Sequence, residues 1–212
     1  MKTESGIEYL QLYENSILTR ENLIQIADLV YDTDPYIYPA MFGCRESAEQ
    51  MIPLLMDNRD AMFRRSNCFV AMEHHRVVGL LLWTEGSLNW SPQLLKELSE
   101  NQGIEVSPYL DMAADEYVDG YRKEQKSRTI CIINVCVDKD HQGKGIGRKM
   151  METFFDRMKG DMYELCVLQD NLSAVHLYRS LGFDDYESYN GFSVDHRKLP
   201  AYKMRKSANK TL

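Results

Sequence analysis

Gly143, Gly145 and Gly147 stand two residues apart in Gln142-Gly143-Lys144-Gly145-Ile146-Gly147. Before them runs an apolar stretch, ICIINVCV from Ile130 to Val137. After them Ile146, Met150, Phe154 and Met158 recur at helical spacing. A strand, a glycine loop and a helix in that order make an anion site. Glycines leave backbone N–H groups unscreened by a Cβ. The first N–H groups of a helix lack internal partners, and its dipole places positive charge there. A phosphate or diphosphate fits such a place, and Lys144, Arg148 and Lys149 add charge nearby. A phosphate-binding P-loop needs GxxxxGK followed by Ser or Thr, which is absent. The dinucleotide fingerprint needs GxGxxG, whereas these glycines fall as GxGxG.

Residues 164–183, ELCVLQDNLSAVHLYRSLGF, form a second group. They read as a strand, then Asn171, then a helix carrying Tyr178, stopped at Leu181-Gly182-Phe183. A tyrosine can carry a proton in acid–base chemistry. Tyr178 also suits a core position, and Asn171 also suits a helix N-cap.

Together the two groups resemble motifs A and B of the GNAT superfamily of N-acetyltransferases. Gln142 to Gly147 follows the Q/R-x-x-G-x-G/A pattern, and Asn171, Tyr178 and Leu181-Gly182-Phe183 follow the second motif in order. The resemblance covers residues 129–206, and the first 85 residues only in element order. It implies acetyl-CoA as co-substrate and no metal. The loop Gln142, Gly143, Lys144, Gly145, Ile146, Gly147 and Arg148 would hold the CoA diphosphate. Val135, Cys136 and Val137 would pair with the pantetheine arm where the fourth and fifth strands splay, and an N–H near Val135 would polarise the thioester carbonyl. Asn171 would touch the arm, and Tyr178 would protonate the departing thiolate. The alternative on the same fold is a non-catalytic acyl-CoA-binding regulatory domain.

Direct attack by an amine needs no protein nucleophile but does need a proton acceptor, since an amine of pKa about 10 is protonated at neutral pH. Histone-type relatives carry a Glu early on the fourth strand; Cys131 stands there. Glu85 is one candidate base. Asp115 and Asp119 lie four apart in an acidic segment that reads either as a solvated face or as one that attracts a cation, and Tyr36 and Tyr38 are candidate acceptor contacts. The acceptor expected is a small cationic amine or a peptide amine. Cys131 and Cys136 suit core positions better than nucleophilic ones.

Strands are expected at Ile7–Tyr13, Cys68–Glu73, Val77–Trp83, Thr129–Val137, Tyr163–Leu168, Asp185–Tyr189 and Ala201–Arg205. Helices are expected at Asn22–Tyr31, Arg45–Arg64, Ser91–Asn101, Ser107–Lys126, Ile146–Lys159 and Ser173–Leu181. Residues 36–43 read as irregular. His74-His75 reads as a hairpin turn. This order gives an α/β (α+β) fold with a GNAT-like mixed sheet of about six to seven strands flanked by helices. One domain over residues 1–206 is expected, with a helical insertion at 86–128 as a possible cover of the acceptor site, and a tail at 207–212. The net charge of −7, from 25 Lys and Arg against 32 Asp and Glu, disfavours nucleic acid. Five cysteines without a CxxC pair argue against disulfides or zinc. The absence of a long apolar run predicts no membrane contact and a cytoplasmic location. Dimers are common in the resembled family, so a homodimer is an expected state.

Overall fold

The computed structural model describes residues 6–85, 91–104, 128–194 and 197–208. Its elements are β1 (Ile7–Gln11), α1 (Arg20–Thr33), α2 (Ile37–Phe42), α3 (Arg45–Met56), β2 (Cys68–Glu73), β3 (Arg76–Glu85), α4 (Pro92–Gln102), β4 (Thr129–Val137), α5 (Ile146–Arg157), β5 (Met162–Leu168), α6 (Leu172–Ser180), β6 (Asp184–Val194) and β7 (Arg197–Ser207). The seven strands form one mixed sheet in the order β1-β2-β3-β4-β5-β7-β6. Among the described residues β4 and β5 are the one parallel pair.

Alternation along the strands sends side chains to two cores. Ile26, Val30, Met41, Phe42 and Ile52 pack on one face with Cys131 and Ile133. Met150, Phe154, Val175 and Tyr178 pack on the other with Ile130 and Ile132. The sheet is thus covered by α1 to α4 on one side and by α5 and α6 on the other. No helix among the described residues is long and apolar enough to cross a membrane.

Local chemistry explains most boundaries. Thr19 caps α1: its Oγ1 accepts from the Asn22 N–H at 3.1 Å, and Asn22 Oδ1 accepts from the Thr19 N–H at 3.2 Å. Asn22 Nδ2 also donates to the His75 carbonyl at 2.8 Å, tying α1 to the β2–β3 turn. That turn has φ of 47° at His74 and 67° at His75, the left-handed pair a two-residue hairpin requires.

Two expectations need correction. The helix expected over Arg45–Arg64 ends at Met56. Pro53 removes one ladder N–H, and the chain then turns from Asp57, with Ala61, Met62 and Phe63 still buried. The stretch 36–43, expected to be irregular, holds the six-residue helix α2. Asp34 Oδ1 accepts from the N–H groups of Tyr36 and Ile37, each at 2.8 Å, and Gly43 ends the helix at φ 75°. Ile37, Tyr38, Met41 and Phe42 are its buried face. The helix expected over Ser107–Lys126 lies outside the described residues.

Phe154 anchors α5 to the sheet. It is fully buried, with ring centroids 5.9 Å from Phe69 and 5.8 Å from Trp83. Phe154→Ala should therefore cost about 3–5 kcal/mol, measured as a fall in the urea midpoint at unchanged slope.

Candidate active site

β4 and β5 pair only from Thr129↔Met162 to Ile132↔Leu165. Beyond Ile132 the two part. β5 continues paired to β7 as far as Leu168↔Ala201, and β4 continues paired to β3 as far as Val137↔Gly79. The β5-facing edge of residues 133–137 thus has no strand beside it. A bulge sits at the point of parting: Leu82 faces Asn134 and Trp83 faces Ile132, which leaves Ile133 as the extra residue. The bulge changes the alternation there. Ile133 packs in the core beneath α1 to α3, while the adjacent Asn134 bonds Tyr38 of α2.

Two cavities open at the parting. One, of about 590 Å³, lies beside the glycine loop. It is lined by Val135, Cys136, Val137, Gln142, Gly143, Gly145, Ile146, Gly147, Arg148, Asn171 and Tyr178. Besides Tyr178, expected as the proton donor, these are the residues expected to hold the donor, save Lys144, which is exposed and outside the lining. Gly143 and Gly145 have φ of 74° and 78°, values at which an L side chain is strained. Gly145 is the N-cap of α5. The turn before it is held by Asp138, whose side chain accepts from the Asp140 N–H at 3.1 Å and contacts His141 Nδ1 at 2.7 Å. His141 holds the Asp138 carboxyl below the usual range. The other His141 nitrogen lies 3.1 Å from Glu73 Oε2. Gln142 Nε2 donates to the Val137 carbonyl at 2.9 Å, folding the loop onto the end of β4.

The second cavity, of about 310 Å³, lies on the α1–α2 side. Asp34, Tyr36, Tyr38, Asn134 and Asp170 line it, with Val135 and Tyr178 again. The two cavities share Thr33, Val135, Asn171, Ala174 and Tyr178. Tyr178 is 7% exposed. Its hydroxyl has no hydrogen-bond partner among the described residues, and burial pushes its pKa up. The phenol is therefore protonated throughout the neutral range. Burial also pushes the Cys136 thiol up to about 11. A thiol that stays protonated is a poor nucleophile, in line with its expected packing role.

Other expected site residues fall elsewhere. Glu85 lines neither cavity. It pairs with Arg128 at 2.8 Å and stands opposite Ile130, at the closed end of the β4–β5 pair. β3 runs antiparallel to β4 and carries its last residue, Glu85, away from the parting. Tyr38 is 1% exposed and donates its hydroxyl to Asn134 Oδ1 at 2.8 Å, so it is a wall of the cavity with its donor committed. Asn171 caps α6, accepting from the Ala174 N–H at 3.2 Å, and lines both cavities as well. Asp115 and Asp119 lie outside the described residues. Asp34, Asn134 and Asp170 were not expected. A lone Asn inside an apolar strand was the available signal for Asn134. Asp34 reads only as part of an Asp-Pro turn. Among the described residues no group of three or more His, Cys, Asp or Glu could hold a metal ion.

Known proteins resemble this arrangement. The model of the acetyltransferase (GNAT) family matches residues 35–183. A 47-residue segment is 45% identical to N-alpha-acetyltransferase RimI of Mycobacterium tuberculosis, covering 22% of this chain and 30% of that one. A 68-residue segment is 28% identical to a probable spermine N(1)-acetyltransferase of Bacillus subtilis subsp. natto, covering 30% and 44%. The matches thus span less than half of either relative. The fold resembles that of an N-acetyltransferase from Staphylococcus aureus Mu50, with a TM-score of 0.62 at 14% identity over 94% of this chain and 100% of that one.

The Tyr38–Asn134 bond supports the wall between core and cavity. Tyr38→Phe keeps the ring packing against Phe42 and Phe63 but strips the donor from a buried amide oxygen. A loss of about 1–3 kcal/mol in urea unfolding is expected.

Proposed function

Because this chain belongs to the acetyltransferase (GNAT) family, we propose that it is an N-acetyltransferase that moves an acetyl group from acetyl-CoA to an amine by direct attack in a ternary complex. One observation carries the reading: the loop-side cavity and the α1–α2-side cavity meet at Val135 and Tyr178. A thioester entering from one side and an amine from the other would come together at that shared wall.

The donor side suits CoA. The N–H groups from Gln142 to Arg148 and the start of α5 favour a diphosphate. The bare edge of residues 133–137 suits an extended arm with amide groups, which would add to the sheet as a strand does. An N–H near Val135 would then face the thioester oxygen and stabilise the charge that develops there. Asn171 would touch the arm, and Tyr178 would give its proton to the leaving thiolate. The acceptor would be a small cationic amine or a peptide amine. The acidic lining by Asp34 and Asp170 supports a cation, and the names of the two curated relatives point to an alpha-amine in one and to spermine in the other.

Two measurements test the reading. Acetyl-CoA at about 100 times its Kd should stabilise the fold by about 2.7 kcal/mol, while ATP and NAD should leave the melting temperature unmoved. An equal shift with ATP would refute a CoA-shaped site. Tyr178→Phe should lower kcat by about 10²–10⁴-fold with little change in acetyl-CoA affinity. Unaltered turnover would remove the tyrosine from the mechanism.

A further inference from the structure

We propose that Asp34 is the proton acceptor for the incoming amine. The inference rests on the transferase reading and fills a place that reading leaves empty, since Cys131 occupies the strand position where a Glu was looked for and Glu85 is held at the closed end of the sheet by Arg128.

The two oxygens of Asp34 have different surroundings. Oδ1 accepts from the Tyr36 and Ile37 N–H groups, each at 2.8 Å, and so starts α2. Oδ2 has no partner among the described residues. The residue lines the cavity that Tyr178 also lines, so one space holds a carboxylate with a free oxygen and a phenol that keeps its proton.

A second, independent feature marks this cavity as a ligand site. Asn134 is 2% exposed and lines it. Its Oδ1 is taken by Tyr38, while its Nδ2 is buried with no partner. A buried amide donor left unpaired costs about 1–3 kcal/mol. A ligand carrying an acceptor atom in the cavity would satisfy it. Binding there would therefore bring a carbonyl to Asn134 and an amine to Asp34.

Burial raises the Asp34 pKa; the Ile37 and Tyr36 N–H groups oppose that shift and the charge of Asp170 adds to it. A carboxylate with a raised pKa is a better base near neutrality. The other titratable groups that line the cavity with it are Tyr36, just before α2, Tyr38 from α2, Cys166 from β5, Asp170 from the turn after β5 and Tyr178 from α6. Asp32, at the end of α1, is engaged by Arg45 and by Lys139 at 3.6 Å.

The protons balance without a further reactant. An ammonium group gives one proton to Asp34 and becomes a free amine. Its nitrogen attacks the thioester carbon, the C–N bond forms and the C–S bond breaks. The second amine proton replaces the one that Tyr178 passes to the CoA thiolate. Asp34 then releases its proton to water, so the products are an amide, a CoA thiol and one proton.

Asp34→Asn isolates the charge, because an Asn side-chain oxygen can still cap α2. Thiol release from acetyl-CoA would be followed with spermidine, free amino acids and open-ended peptides, and the best acceptor used throughout. The variant should bind acetyl-CoA as the wild type does, by thermal shift. Its kcat with the amine should fall about 10²–10⁴-fold, well beyond the smaller rise in KM expected when one of the two carboxylates bordering the cavity loses its charge. In the wild type kcat/KM should fall as pH drops through a value above the ordinary aspartate figure of about 4, and that limb should be missing from the variant. Wild-type rates in Asp34→Asn, or a wild-type profile without the acidic limb, would overturn the role of Asp34 and leave the transferase reading standing. The profile decides the matter even if the variant does not fold. A wild type that neither binds acetyl-CoA nor releases its thiol with any amine would overturn the transferase reading itself.

Discussion

The parting of β4 from β5 after Ile132 is the constraint on which the site depends. A parallel pair normally continues for as long as both strands do. Here each strand keeps its outer partner, β3 or β7, and gives up the inner one. The cost is a row of backbone groups with no strand beside them, running from the buried Ile133 and Asn134 to the half-buried Val135, Cys136 and Val137. Such groups need partners, and an extended amide-bearing ligand supplies the same kind that β5 would have supplied. The bulge at Ile133 makes the parting abrupt, because an extra residue increases the local twist and re-aims the side chains that follow. Asn134 owes its contact with Tyr38 to that change.

The parting also explains why two cavities meet. A gap between strands opens to both faces of the sheet. On one face it is bordered by α5, α6 and the glycine loop, and on the other by the α1–α2 corner. Tyr178 reaches the gap from α6 and closes both cavities with one side chain. A path through the sheet, with a different kind of helix end on each side, suits a reaction that joins two unlike molecules.

Much of this was legible in the sequence. The span of β4, the start of α5 and the stop after α6 follow from apolar patterning, glycine and capping chemistry, all local signals. Ten of the eleven residues expected beside the donor line one cavity, because a strand–loop–helix unit places its own residues. Lys144 was the exception, since a two-residue glycine spacing does not tell which side of the loop a side chain takes. The acceptor side was not legible in the same way. Asp34 and Asn134 are 100 positions apart and line one cavity where Tyr38 of α2 bonds Asn134 of β4. Glu85 was credible from its place at a strand end, but the antiparallel β3–β4 pairing sends that end away from the gap. α2 was missed because six residues carry too little periodicity, and its start depends on one Asp side chain.

The charges are arranged to the same purpose. The chain carries a net −7, yet Lys144, Arg148 and Lys149 gather at the loop, while Asp34 and Asp170 border the other cavity. A uniform acidic field would attract an amine and repel a polyanionic donor alike. The carboxylate that lines the loop side, Asp32, is paired with Arg45 and Lys139, so a polyanionic donor would meet the positive charge of the loop while an amine would meet Asp34 and Asp170. The charge of Asp170 adds to the rise that burial causes in the Asp34 pKa, a cost that a site built only for stability would avoid. A cation between them offsets that cost, so an amine would bind most strongly where it is also placed to lose its proton. Attraction and activation of the acceptor would then be one electrostatic act, performed at a short Asp-Pro turn whose other oxygen is occupied in starting a helix.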